Sequence, residues 1–213
     1  MKTLDEKNIE LSKMLFSLKH SIDLEKLFGL NADIINKVGV GKKFFVHIRM
    51  ILKESFVMSI YKIFEKEKTY SLNSIPAILE LIKSKELNCK YPDYVDEFIS
   101  KYENGKKGTN YIEALEAIYE SFYSKHQASF ERYDYARDKV VAHSEYKAQR
   151  DLLPSHAVMK EVLLFGVDFN RMISEAFLGV GPHPIASDMQ VSSSLCRLLE
   201  ELGYKNIKKE FDK

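Results

Sequence analysis

Arg137 and His143 bound the segment Arg137-Asp138-Lys139-Val140-Val141-Ala142-His143. A guanidinium is a permanent cation whose forked N–H groups match phosphate oxygens, and an imidazole is the side chain that titrates near neutral pH. Brought to one phosphodiester, the two would supply charge stabilisation and proton transfer, which is what RNA cleavage without a metal requires. Spacing alone does not select them. Arg150 and His156 repeat the gap across Asp151-Leu152-Leu153-Pro154-Ser155, where Pro154 interrupts any helix.

Geometry constrains the first pair. In a regular helix residues six apart are separated by about 9 Å along the axis and about 120° around it. Arg137 and His143 would therefore flank Val140 rather than converge. One centre needs the helix to bend or end near His143, or needs a second copy of the chain, because an isologous contact sets the same residues on both sides of a two-fold axis. A purely structural reading also fits: Arg137 pairs with Asp134 or Asp138, and His143 sits at a helix C-terminus where its cation is favoured.

Other chemistries find less support. Gly39-Val40-Gly41-Lys42-Lys43 lacks the spacing, the hydroxyl after Lys and the preceding strand of a phosphate loop, so it reads as a helix break. Gly179-Val180-Gly181 fails similarly. The six His residues, at 20, 47, 126, 143, 156 and 183, form no HExxH and pair with no Cys at zinc spacing. No metal and no cofactor is expected; His47 and His126, on apolar faces of long helices, read as core residues. Cys89 and Cys196 are far apart and have no neighbouring base in sequence, and there is no GxSxG, so acyl transfer is unsupported.

Composition bounds the partners. A net charge of +1 provides no global basic field, so any nucleic-acid contact must be local, as at Lys42-Lys43, Lys106-Lys107 or the tail from Lys205 to Lys209. With 45% hydrophobic and 30% charged residues the chain has a globular composition. Free cysteines, an acidic start after Met1 and no membrane-length apolar run lead us to expect a soluble, cytoplasmic protein without membrane contact.

The elements that must position the pair follow from apolar periodicity. Leu11, Leu15, Leu18 and Ile22 predict an N-terminal helix over about 5–28. After Gly39-Val40-Gly41, a long helix runs to about residue 66, with one stripe of Phe45, Ile48, Leu52, Phe56, Ile60 and Ile63 and a second of Phe44, Ile51 and Met58. Ser74 and Pro76 open a shorter helix, another starts at Pro92, and Glu103 to Gly108 reads as a loop. From Asn110 to about Ser144 a single stripe runs through Ile112, Leu115, Tyr119, Phe122, His126, Phe130, Tyr133 and, in phase, Arg137 and Val140. An arginine on such a face needs a partner, a cleft or a phosphate, because burying it alone is costly. Further helices are expected over about 155–178, ended by the Gly179–Pro184 segment, and over about 187–203. No β-alternating segment and no repeat is present, so the fold class is all-α, read as a single domain over 1–213.

The stretch Tyr135-Ala136-Arg137-Asp138-Lys139-Val140-Val141-Ala142-His143-Ser144-Glu145 resembles the Arg-x4-6-His signature of the HEPN superfamily, in which the residue after Arg is often Asn, Asp or His. The run from Phe44-Phe45-Val46-His47-Ile48-Arg49-Met50-Ile51-Leu52 through Ser71-Leu72-Asn73-Ser74-Ile75-Pro76 is similar to the abortive-infection subgroup of the AbiU type. The resemblance implies a HEPN-like helical bundle with a core over about 40–178 and additional helices at either end. It also implies a homodimeric, metal-independent endoribonuclease of phage defence or a toxin–antitoxin pair. His143 would move a proton at the ribose 2′-hydroxyl or the leaving 5′-oxygen, Arg137 would stabilise the charged transition state, and Asp138 would orient them, leaving a 2′,3′-cyclic phosphate. Lys139 and Tyr146 would contact the RNA. Tyr146 stands three residues after His143, one further than the modifiable Tyr of tyrosine-silenced toxin members, so that regulation is not carried over. An antitoxin or other regulatory protein is the expected partner beside RNA. The alternative is a helical module that binds RNA or protein without cutting it.

Overall fold

A computed structural model describes residues 3–38, 41–66, 72–102, 110–137, 156–181, 190–204 and 207. Thr3 accepts from the Glu6 N–H, and Glu6 reaches back to the Thr3 N–H, a reciprocal cap that starts α1, Leu4–Leu30. Along it Leu11, Leu15 and Leu18 are fully buried, each such leucine being worth about 1.5–3 kcal/mol over exposure. There follow α2 (Ala32–Val38), α3 (Lys42–Phe64), α4 (Ile75–Ser84), α5 (Pro92–Tyr102), α6 (Tyr111–Lys125), α7 (Gln127–Ala136), α8 (His156–Met172), a π-helical segment Ile173–Leu178, and α9 (Gln190–Glu201). Among the described residues there is no strand, and the fold is all-α.

Two glycines act where the sequence needs them. Gly41 caps α3 with φ +72°, a left-handed conformation that an L side chain adopts at a cost, so the break expected ahead of the long helix falls at a glycine. At Gly166 on α8 a Cβ would lie 2.5 Å from Leu15 Cδ2, so the lack of a side chain lets α8 approach α1.

α1 lies against α3, α4, α8 and α9; α7 rests on α3, and α5 sits between α6 and α8. Phe64, at the end of α3, is a hub: its ring lies 4.8 Å from Phe130, 6.0 Å from Phe122 and 6.2 Å from Phe165, tying α3 to α6, α7 and α8. Behind it Asn8, Asn170 and Ser174 form a buried polar knot in which Asn8 donates to Ser174 Oγ (2.8 Å) and Asn170 donates to Asn8 Oδ1 (2.8 Å).

Periodicity predicts one helix from Asn110 onward, and the structure corrects this. The chain turns at His126 (φ −108°, ψ 12°), whose N–H donates to the carbonyls of Phe122 and Tyr123 while its carbonyl accepts from Ser129. The turn keeps Phe122, His126 and Phe130 on one buried side, so the stripe stays in phase across the break. The predicted helix of 155–178 likewise changes character, its last six residues being π-helical. That leaves the Ala176 carbonyl accepting from the N–H groups of Lys90 (2.8 Å) and Tyr91 (3.1 Å), which docks the segment entering α5. Gly179, at φ +72°, ends it as expected. No described helix is long and apolar enough to cross a membrane.

Candidate functional site

The Arg137 face of the stripe meets the far end of α3. Arg137 follows the last residue of α7, its N–H donating to the carbonyls of Asp134 and Tyr133. Its half-buried guanidinium carbon lies 3.9 Å from the centre of the Tyr61 ring, well within cation–π range. The Tyr61 hydroxyl in turn donates to Glu65 Oε1 at 2.7 Å. Burial raises the Tyr61 pKa, the Glu65 bond raises it further, and Arg137 opposes both. The phenol thus stays neutral, a ring platform under a fixed cation.

Beside this pair opens a cleft of about 200 Å³ walled by Tyr61, Phe64, Glu65 and Lys66 from the end of α3 and by Tyr123, Phe130, Tyr133 and Asp134 from α6 and α7. Tyr123 and Phe130 are parallel, 4.6 Å apart and within 4°. Exposed Lys66 lies 5.9 Å from the Tyr123 ring and pairs with Glu120 at 2.9 Å. Tyr133 is 1% exposed, and its hydroxyl has no hydrogen-bond partner; burial alone pushes its pKa up.

Of the residues expected to do chemistry, Arg137 is the one placed here. Asp138, Lys139, His143 and Tyr146 lie outside the described residues, as does Arg150. Tyr61, Glu65, Lys66 and Tyr123 were missed as site residues. One signal could have found Tyr61: it falls three residues after Met58 and extends the second stripe of α3.

The histidines that are described stand apart from this cleft. His126 is 6% exposed and stacks against Phe122 at 4.7 Å. Its Nε2 comes within 3.2 Å of Glu161 Oε2, at ion-pair distance but without hydrogen-bond geometry. Burial and neighbouring Lys125 lower its pKa, against the pull of Glu161. This is the core histidine expected from its apolar face. His47, also expected in the core, is exposed on α3 because its phase falls with Phe44 and Ile51 rather than with Phe45 and Leu52. Among the described residues no group of three His, Cys, Asp or Glu side chains gathers as a metal would need. Cys89 is half-buried with its thiol pKa raised by burial, and Cys196 is buried.

These features define an all-α bundle in which the residue after α7, Arg137, lies over Tyr61, a wall residue of an aromatic cleft. The chain belongs to the HEPN_AbiU2 family, described as AbiU2, whose model matches residues 28–180. That span holds α2 to α8 and the whole Arg137–His143 segment. No curated protein and no solved structure matches the chain. Membership in this family points to a role in abortive infection.

Proposed function

We propose that the protein is a metal-independent endoribonuclease acting in phage defence or as the toxin of a toxin–antitoxin pair. The observation that carries this is Arg137: a half-buried cation held over the Tyr61 ring, six residues before His143 within the family's matched span. The ring contact helps to hold the cation in place, and a held cation is what an anionic phosphorane would need. His143 takes the proton from the 2′-hydroxyl or gives one to the leaving 5′-oxygen, and Asp138 orients the pair. Lys139 and Tyr146 contact the strand.

The active unit in this reading is a cytoplasmic homodimer, in which a second copy brings its own pair to the axis. An apolar seam supports it. On α3 Phe44 is 57% exposed and Ile51 46% exposed, with Met58 one further heptad on and Tyr61 next in phase, so the seam leads to the residue beneath Arg137. An antitoxin or similar protein would restrain the nuclease.

The test is incubation of purified protein and its His143→Ala variant with single-stranded and structured RNA in excess EDTA, followed by analysis of product ends. Cleavage by wild type alone, leaving 2′,3′-cyclic phosphates, is expected. A folded, dimeric wild type that cuts nothing would replace the enzyme with a binding module.

A further inference from the structure

We infer that Tyr91 and Tyr94, on the surface where the start of α5 meets the end of the π-helical segment, form a docking point for an arginine carried by a partner protein. The inference goes beyond the ribonuclease reading and does not depend on it. Tyr91 is 52% exposed, Tyr94 38% and Val180 46%. They are neighbours: the two rings meet edge to face at 6.5 Å and 78°, and a Cβ on Gly179, the residue before Val180, would lie 3.0 Å from Tyr91 Cε2. Single exposed apolar residues are ordinary, whereas a contiguous group of them marks a contact surface. The rings are also held. The N–H groups of Lys90 and Tyr91 both donate to the Ala176 carbonyl, and the Tyr94 N–H donates to the Tyr91 carbonyl at 3.3 Å. A tyrosine fixed before binding brings a large contact area at little further cost in entropy, and tyrosine is common among the residues that dominate interfaces.

Charge selects the partner. Tyr94 and Glu97, one turn apart on α5, line a crevice with Arg171 and Glu175 of the neighbouring rod. Arg171 pairs with Glu175, and Lys101 with Asp168. Glu97 and Asp93, both exposed, are left without an ion pair or a side-chain hydrogen bond. Lys90, the cation next to Tyr91, is engaged by the Leu178 carbonyl at 3.2 Å. The surface therefore holds open carboxylates beside open aromatic faces, and no described Lys or Arg lies over the Tyr91 or the Tyr94 ring. Elsewhere in the same molecule a tyrosine with a carboxylate one turn later, Tyr61 with Glu65, is covered by an arginine from another element. Tyr94 and Glu97 repeat that pairing at the surface without the arginine. A guanidinium suits it better than an ammonium, because it stacks on aromatic faces and also pairs with a carboxylate.

Full-length protein is immobilised and a random peptide library displayed on phage is selected against it. The selected peptides are then synthesised, and their affinities are measured for wild type, for the double variant Tyr91→Ser with Tyr94→Ser, and for Glu97→Gln. Peptides that lose about tenfold or more on the double variant, the scale of an interface anchor, are expected, and they should share an arginine. Glu97→Gln should weaken the same peptides by about threefold, as removal of one exposed ion pair does. Replacing the shared arginine by glutamine in the peptide leaves the protein intact and should also cost about tenfold, so the result does not hang on the folding of the tyrosine variant. A selection without peptides that distinguish the double variant, distinguishing peptides that lack arginine, or an arginine-to-glutamine change without effect would overturn the docking point. None of these measurements involves RNA, so failure of the nuclease assay leaves them standing.

Discussion

Removing the ring beneath Arg137 is the most direct test of how the site is held. At 3.9 Å from ring centre to guanidinium carbon the contact is well inside the ~6 Å limit, and the arginine is half-buried. Exposed cation–π pairs are worth about 0.5–1 kcal/mol and desolvated ones about 2, so this one should contribute about 1 kcal/mol. Tyr61→Leu alone would misreport it, because that change also loses the hydroxyl bond to Glu65 and ring packing in the cleft. A double-mutant cycle of Tyr61→Leu with Arg137→Met, each variant unfolded in urea and followed by circular dichroism, subtracts those losses. A coupling of about 1 kcal/mol is expected, and Tyr61→Phe, which keeps the ring, should preserve most of it. Coupling below about 0.3 kcal/mol, the level at which independent sites add, would refute the platform. If Arg137 acts in the transition state, its release also lowers kcat/KM by about fivefold in Tyr61→Leu, with Tyr61→Phe close to wild type.

Three further outcomes follow from packing and titration. His126 has a folded pKa below its unfolded value of about 6.5, so the native state resists protonation. Stability should be flat above about pH 7 and fall as pH drops through 6.5 toward the folded pKa, with Lys125 opposing and Glu161 assisting protonation; thermal melts of His126→Gln should lose that slope. Gly166→Ala sets a Cβ 2.5 Å from Leu15 Cδ2, where overpacking of about 1–3 kcal/mol outweighs a helix gain of about 0.5–1. It should therefore destabilise wild type but stabilise a Leu15→Ala background, and the same sign in both would refute the contact. Asn8→Ala strips the Ser174 and Asn170 side chains of a buried partner and should cost about 2 kcal/mol in urea titration. A loss under half of that would mean the knot is satisfied another way.

Apolar phase in the sequence was enough to recover the all-α class and the order of its long helices, because each buried face repeats at helical spacing: Leu11, Leu15 and Leu18 on α1, or Phe45, Leu52 and Phe56 on α3. The same phase carried Arg137 to a face that demands a partner, and the structure supplies one. Phase could not show the turn at His126. A one-residue break that keeps Phe130 on the side of Phe122 leaves the spacing of buried residues intact. Nor could it show what an arginine on that face would meet, since Tyr61 belongs to another helix and the docking of α7 on α3 is set by long-range packing around Phe64.

That distinction bears on the chemistry. Carboxylates at 134 or 138 are the partners nearest to Arg137 in sequence, and a bidentate ion pair would occupy the guanidinium edge that a phosphate needs. The Tyr61 ring adds a contact from another helix to those Arg137 can make nearby in sequence, and a cation–π contact leaves the guanidinium its charge. An aromatic platform on α3 therefore helps to fix the arginine without neutralising it, which is the preorganisation that the proposed role at a phosphate would use.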